Sequence, residues 1–290
     1  MKNVASLLLL LILIFSCGNK SELEKKPVSR NVIILLDLSD RILLENQIAR
    51  DKSTINAIFQ TYLNSIKDTI VAYDKEFNRI SDKFSVRIAY QKNIPYDKQH
   101  FENILQFDFA RKDANNAKFI LQDFPKQLST ELDNLYNAAK FSDNSKDYHG
   151  ADIWKFFSED LDNLISDDDN SINYLFIITD GYLYFENYKE NIKQTNRRPD
   201  MQFLSELRNK NWEEKFDKED WGLIPLNKQF PNLKVCVLEI APNDFWNEFD
   251  LLKKVWSKWL TEMGIDRNNI YFSKSENTEV TTSLVKKVLR

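Results

Sequence analysis

Three apolar runs rich in β-branched residues constrain the fold more than any other feature, because each has the length of a fully buried strand. The runs cover 31–36, 174–179 and 233–240. A strand that is apolar on both faces must be covered on both sides, which is typical of a parallel sheet. Segments with helical spacing of apolar residues separate the runs. This alternation predicts an α/β fold with a doubly wound, mostly parallel central sheet and helices on both faces.

The segments between these runs supply the other expected elements. Apolar positions from Ile48 to Ile80 recur at gaps of three and four, which predicts one long helix. Residues 84–90 alternate as a half-buried strand does, and a second short strand is expected between Asn103 and Phe109. Further helices are expected over 124–139, 153–164, 199–207 and 244–263, and a strand at 270–272 precedes a last helix to Leu289.

Aspartates directly follow two of the three buried runs. Asp37 comes after the first run and Asp180 after the second. The carboxyl ends of parallel strands meet at one edge of the sheet, and ligands of doubly wound folds bind at that edge. A carboxylate that loses water without gaining a partner is unfavourable. We therefore expect a functional site where these two strands end.

The residues around the two aspartates resemble a known motif. Asp37-Leu38-Ser39-Asp40-Arg41 is similar to the DxSxS motif of von Willebrand factor A-type (vWA) domains, and Thr179-Asp180-Gly181 is similar to their second acidic turn. The resemblance in element order spans Asn31 to Arg290. It implies a metal-ion-dependent adhesion site, in which a cation, usually magnesium, accepts a carboxylate from a protein partner. Carboxylate and hydroxyl oxygens suit such a hard cation.

The chain departs from that motif at two positions, so the metal site is expected to be degenerate. Arg41 replaces the second serine, and Ala151 stands where the resemblance implies a threonine. Asp37, Ser39 and Asp180 remain as candidate metal ligands. A guanidinium at Arg41 could bridge Asp37 and Asp180 in place of the metal.

Alternatively, Asp152 could turn inward and supply a replacement oxygen. The cofactor prediction is therefore none, or magnesium.

Aromatic residues follow Asp180 and are expected at the same edge. Tyr182 and Tyr184, together with Arg41, are the predicted binding residues, because aromatic side chains with polar groups are common interface anchors. Phe185 and Tyr188 belong to the same cluster, which could equally pack the loop onto the domain. Residues expected to have structural or solvent-facing roles are Trp246, Trp256 and Trp259 in the core, Cys236 as a buried thiol, and Arg197 and Arg198 as a solvated pair.

The N-terminus predicts export and lipidation. A short positive head and an apolar run end at Ile14-Phe15-Ser16-Cys17, which resembles the lipobox of bacterial lipoproteins. This divides the chain into a signal peptide at 1–16, a polar tether at 17–30 that starts with acylated Cys17, and a vWA-like domain at 31–290. An ordinary secretory peptide is the alternative. The expected location is the bacterial cell envelope, with a lipid anchor in the outer membrane on either its periplasmic or its surface face.

Composition excludes several function classes. The formal net charge is −4, so the chain lacks the basic footprint of nucleic-acid binding. It has five glycines without a phosphate-binding loop motif, and two histidines, which exclude a histidine-rich zinc site. We expect a non-enzymatic scaffolding module that docks a protein partner in the envelope.

Two other functions remain as alternatives. The first is a surface adhesin, which differs mainly in location. The second is a metal-dependent phosphohydrolase of the haloacid-dehalogenase type, which also starts with a carboxylate after its first strand. That chemistry needs a second carboxylate where this chain has Ser39.

Overall fold

The strands of the computed structural model form a six-stranded sheet and a separate two-stranded sheet. The structure describes residues 28–71, 82–109, 118–184, 196–243 and 246–289. In chain order the strands are β1 Ser29–Leu36, β2 Lys83–Ile88, β3 Gln106–Asp108, β4 Ser171–Ile178, β5 Arg197–Arg198, β6 Gly222–Leu223, β7 Leu233–Ile240 and β8 Ile270–Lys274.

The large sheet has the order β3-β2-β1-β4-β7-β8, and all neighbours are parallel except β2 and β3. Chain order therefore reverses between β1 and β4, as it does at the switch point of a doubly wound sheet. A single antiparallel strand at the edge is common in such sheets. The predicted fold class is confirmed. The short strands β5 and β6 pair with each other outside this sheet.

Helices cover both faces of the sheet. They are α1 Gln47–Val71, α2 Lys98–Ile104, α3 Phe124–Ala139, α4 Ile153–Lys155, α5 Leu204–Leu207, α6 Trp212–Lys218, α7 Glu248–Glu262 and α8 Thr278–Leu289. Short turns of 3₁₀ helix span Asp40–Leu43, Ser145–Asp147, Leu161–Asn163 and Arg267–Asn269, and π-helical turns span Phe119–Asp123 and Phe156–Asp160.

The central strands divide the core into two apolar clusters. Along β1, Val32, Ile34 and Leu36 face the cluster under α1, α3 and α8, while Ile33 and Leu35 face the cluster under α7. This alternation follows from the two-residue period of a strand. It explains why the strand sequences are continuously apolar.

The structure differs from the expected elements in several places. The segment 153–164 is a short α-helix followed by π and 3₁₀ turns, and the helix expected at 199–207 is only α5. Arg197 and Arg198 form β5, and the side chain of Asp200 accepts a hydrogen bond from Gln202 N, which holds a turn before α5. Residues 72–80 of the expected first long helix and the proposed cap Asp244 lie outside the described residues.

Side-chain burial differs from the expectation for one tryptophan and for one arginine of the expected solvated pair. Trp256 and Trp259 are fully buried, as expected, but Trp246 is 73% exposed and does not belong to the core. Arg197, expected to be solvated, is largely buried and pairs with Glu262. Cys236 is buried, as predicted, and burial raises the pKa of its thiol.

The expected leader, Cys17 and most of the tether fall outside the described ranges. Within those ranges, none of the helices combines the length and apolar character needed to cross a membrane.

Candidate functional site

The structure brings Asp37 and Asp180 to the same edge of the sheet. Leu36 and Ile178, the last residues of β1 and β4, are register partners, and Asp37 N donates to the Ile178 carbonyl at 3.0 Å. The two aspartates thus lie at the switch point, where the sequence predicted a site.

Asp37 is a buried hydrogen-bond acceptor. Only 2% of its surface is exposed. Its Oδ1 accepts from Ser39 N at 2.9 Å, and its Oδ2 accepts from Thr179 Oγ1 at 2.8 Å. Thr179 Oγ1 in turn accepts from Gly181 N at 3.1 Å. The Thr179 hydroxyl, which the sequence motif places in a turn, joins the ends of β1 and β4.

Arg41 does not bridge the carboxylates of Asp37 and Asp180, so that expectation is wrong. Its guanidinium forms a bidentate ion pair with Asp51 of α1, with Nη1–Oδ2 at 2.7 Å and Nη2–Oδ1 at 2.9 Å. Its contact with Asp37 is from Nη1 to the backbone carbonyl, at 3.1 Å. Arg41 is only 2% exposed, so its role at the site is to hold neighbouring residues in place.

The environment of Arg41 keeps it charged. Burial alone disfavours a charged guanidinium, but the attraction and hydrogen bonds of Asp51 outweigh burial and raise the pKa of Arg41. Asp51 also accepts from Gln47 Nε2 at 2.8 Å and from Tyr136 Oη at 3.0 Å. The positive charge of Arg41 is therefore balanced by Asp51.

A second buried carboxylate, Glu239 of β7, extends this polar network. It accepts from Thr54 Oγ1 at 3.1 Å, Ser275 Oγ at 2.9 Å and Thr281 Oγ1 at 3.4 Å. Arg50 Nε lies 3.8 Å from its carboxylate. The network thereby connects α1, β7 and α8.

The backbone of Glu239 is unusual and affects the site. Its φ is +62°, at an irregularity in the pairing of β7 with β8. Left-handed backbone is unfavourable for a residue with a side chain and persists where surrounding contacts hold it. Two residues later, Ala241 N donates to the Asp180 carbonyl at 3.0 Å. The signal that sequence analysis missed is a glutamate inside an otherwise buried strand.

Asp180 is partly exposed, and its Oδ1 accepts from Tyr182 N at 3.0 Å. Burial of the carboxyl, followed by repulsion from Asp37, raises the pKa of Asp180 to about 7, although Arg41 and the Tyr182 hydrogen bond oppose the shift. Burial and the charge of Asp37 also raise the pKa of Asp40. The three carboxyl groups therefore act as one electrostatic cluster.

An open cleft of about 590 Å³ lies over this cluster. We call it the edge cleft. Leu44 and Tyr184, each 48% exposed, form part of its wall. The residues that line it are Ser39, Asp40, Arg41, Leu44, Asp180, Tyr182, Tyr184, Ala241, Pro242 and Asn243.

Ser39 is a polar residue at the edge cleft. It precedes the 3₁₀ turn Asp40–Leu43, but its side chain makes no capping hydrogen bond there. The residue is 6% exposed and borders the cleft. Among the described residues, none forms a hydrogen bond with its hydroxyl.

Asp152 has a different role from the one proposed as an alternative. Its carboxylate caps α4 by accepting from Lys155 N at 2.7 Å, and it is not among the residues that line the edge cleft. Ala151 is buried in the core. The neighbouring Gly150 is needed for close packing, since a Cβ there would lie 1.8 Å from the Tyr184 carbonyl oxygen.

The two predicted aromatic binding residues differ. Tyr182 is half-buried: its hydroxyl donates to Glu248 at 3.1 Å and accepts from Asn243 N at 2.9 Å. Arg208 also pairs with Glu248, so Tyr182 helps to attach the loop to α7. Tyr184 is free to contact a partner because it is exposed. Phe185 and Tyr188 lie outside the described residues.

The oxygen atoms at the edge cleft fit a magnesium ion poorly. Both oxygens of Asp37 already accept hydrogen bonds. Across the described ranges, no group of three or more carboxylate, histidine or cysteine side chains could hold a metal. Magnesium prefers near-octahedral oxygen ligands at short distance.

Comparisons with known proteins do not assign a family. No family model matches the chain, and no curated protein matches it. Similar solved structures include the pilus adhesin SpaC from Lactobacillus rhamnosus GG, with 10% identity, a TM-score of 0.41 and coverage of 94% of this chain and 30% of the adhesin. Proximal thread matrix protein 1 from the mussel byssus has 10% identity, a TM-score of 0.35 and coverage of 91% and 48%.

A third similar structure is an aerotolerance-related membrane protein from Bacteroides fragilis, with 10% identity, a TM-score of 0.35 and coverage of 90% and 98%. The chain spans about half the length of the byssus protein and less than a third of the adhesin. These scores are too low to establish a common family, so the fold assignment depends on the sheet topology.

Proposed function

We propose that this chain is a lipid-anchored, non-enzymatic vWA-like module of the bacterial cell envelope, which docks a protein partner through the carboxyl edge of its sheet. The observation that carries the proposal is the edge cleft. It lies at the switch point, where exposed Leu44 and Tyr184 stand beside carboxyl groups. Apolar and aromatic side chains next to fixed polar groups are typical of protein interfaces.

A buried polar network holds this edge in place, which favours binding by a preformed surface. Arg41, Asp51 and Glu239 are each held by hydrogen bonds to other elements. A rigid surface loses little conformational entropy when a partner binds. A phosphohydrolase is disfavoured because Ser39 occupies the place of the required general acid.

Site-directed photo-cross-linking tests the docking surface. A photoreactive phenylalanine analogue replaces Tyr184, and the full-length lipoprotein is irradiated in native membranes. The matched control is position 28, where Val28 is 43% exposed just before β1, at the opposite edge of the sheet. We expect a discrete cross-linked partner from position 184 only. Equal products from both positions, or none from position 184, would reject docking at this edge.

The lipid anchor has its own test. Mass spectrometry of the mature N-terminus should find an acylated Cys17, and Cys17→Ser should release the protein from the detergent phase. A mature chain that begins elsewhere and carries no lipid contradicts the proposal. Protease treatment of intact cells then distinguishes surface display, as in an adhesin, from periplasmic residence.

A further inference from the structure

We propose, on the basis of the docking function above, that the group that enters the edge cleft is a basic side chain of the protein partner. The ammonium or guanidinium would lie between Asp40 and Asp180 and donate a hydrogen bond to the Ser39 hydroxyl oxygen. The chain itself would thus supply the acidic half of the contact, with no metal between the two proteins.

The first support is charge. Asp37, Asp40 and Asp180 influence one another electrostatically, and the nearby cation Arg41 is committed to Asp51. In the described part of the chain, no ion pair joins these three carboxylates to a lysine or arginine. A cation that enters the cleft would relieve their mutual repulsion.

The second support is the Ser39 hydroxyl. Ser39 is 6% exposed and borders the cleft, and its hydroxyl makes no hydrogen bond within the described residues. The hydroxyl is therefore available to a group that enters the cleft. The hydroxyl oxygen can accept a hydrogen bond from an ammonium or guanidinium N–H.

The third support is that the cleft suits a basic side chain better than a divalent metal. A metal would compete with the donors that already occupy both oxygens of Asp37. An ammonium or guanidinium needs only carboxylate oxygens of Asp40 and Asp180, both of which line the cleft. Its aliphatic part could then pack on exposed Leu44, and its charge could lie near the ring of Tyr184.

The test uses the full mature lipoprotein in detergent micelles and not the domain without its tether. Microscale thermophoresis measures binding of the peptides Ac-Leu-Arg-Leu-NH₂ and Ac-Leu-Lys-Leu-NH₂. Matched neutral peptides carry citrulline in place of arginine and norleucine in place of lysine. We expect millimolar binding of at least one basic peptide and at least tenfold weaker binding of its neutral counterpart, with an effect that falls as salt rises.

Variants locate the contact. Asp180→Asn and Asp40→Asn should each weaken the basic peptide several-fold, and Asp40 is exposed enough that its variant should fold normally. Asp143→Asn is the control, because the Asp143 side chain is 93% exposed and is not part of the edge cleft. Circular dichroism of each variant checks the fold.

Three results would overturn the inference. These are equal binding of charged and neutral peptides, peptide binding that Asp180→Asn and Asp40→Asn leave unchanged, and saturable magnesium binding that both variants abolish. If the peptides fail but the cross-link from position 184 persists, the docking function stands and only the basic ligand is rejected. If both fail, the proposed function is rejected as well.

Discussion

The Arg41–Asp51 pair shows how much a single residue of this site depends on its partner. Both side chains are at most 1% exposed. Arg41→Met removes the charge at similar volume and leaves Asp51 buried without its cation, so we expect a loss of about 3–5 kcal/mol in the free energy of unfolding. The double variant Arg41→Met/Asp51→Asn should recover part of this loss. Urea denaturation measures both.

The control for this pair is an exposed one. Lys218 and Glu214 form an ion pair on the surface, with side chains 72% and 61% exposed. Lys218→Met should change the free energy of unfolding by less than about 1 kcal/mol. If Arg41→Met is equally mild, the buried pair contributes little and Arg41 has another role.

Asp82 gives a pH dependence that belongs to one residue. Its carboxylate accepts from Arg30 N, and burial raises its pKa to about 6. The folded protein therefore holds this proton more tightly than the unfolded chain, so stability from this group is present in acid and is lost as pH rises from about 4 to 6. Asp82→Asn keeps the acceptor oxygen. Relative to wild type, it should gain on the order of 2–3 kcal/mol between pH 4 and pH 7.

Chemical denaturation of wild type and Asp82→Asn at several pH values measures that difference. Asp143→Asn, at an exposed position, should show no comparable change with pH. A difference between wild type and Asp82→Asn that is constant from pH 4 to pH 7 would mean that Asp82 titrates as an ordinary aspartate.

At the residue scale, the sequence predicts where a side chain lies in the fold better than it predicts which side chain it pairs with. Asp37 and Asp180 could be placed together because residues that end neighbouring parallel strands share an edge. The pairing of Arg41 with Asp51 could not, because Asp51 lies in α1 and only the packing of that helix against the turn after β1 brings it close. The capping role of Asp152 could not be predicted, because a capping carboxylate and a ligand carboxylate look alike in sequence.

At the scale of elements, Glu239 is where β7, α1 and α8 are held together. Glu239→Gln keeps the shape but removes the charge that Thr54, Ser275 and Thr281 hydrogen-bond to. We expect a loss of about 1–3 kcal/mol in stability, since hydrogen bonds to a charged group exceed those to a neutral one. Amide hydrogen exchange should accelerate in α8 before it does in β4.

Glu276→Gln serves as the matched control, because the Glu276 side chain is 72% exposed and pairs with Lys274 at the surface. It should leave exchange in α8 unchanged. If Glu239→Gln also leaves it unchanged, α8 is held by its apolar contacts alone.

The sequence predicted long and strongly periodic elements well and short ones poorly. β1, β4, β7 and α3 carry a continuous or periodic apolar signal, because one or both of their faces are fully buried. The helices α2 and α6 have seven residues each, too few for a helical period to stand out. The strands β5 and β6 form by pairing with each other, and they are distant in sequence. The local sequence pattern therefore does not predict them.

For the whole molecule, the shared central strands should make both halves of the core unfold together. Each of β1, β4 and β7 contributes side chains to both apolar clusters, so neither cluster survives without the same sheet. The tryptophans offer a one-sided probe: Trp212, Trp221, Trp256 and Trp259 all belong to the cluster under α7. Their fluorescence therefore reports on one face alone.

Leu128→Ala tests this coupling from the opposite face. Leu128 of α3 is 3% exposed in the other cluster, and its truncation should cost about 2–5 kcal/mol. If the sheet couples the faces, tryptophan fluorescence and far-ultraviolet circular dichroism should shift to lower urea by the same amount, with coincident transitions. A fluorescence midpoint that stays at the wild-type value while ellipticity is lost earlier would show that the two faces unfold separately. The edge cleft, which depends on strand ends from the shared sheet, would then be only as stable as the weaker face.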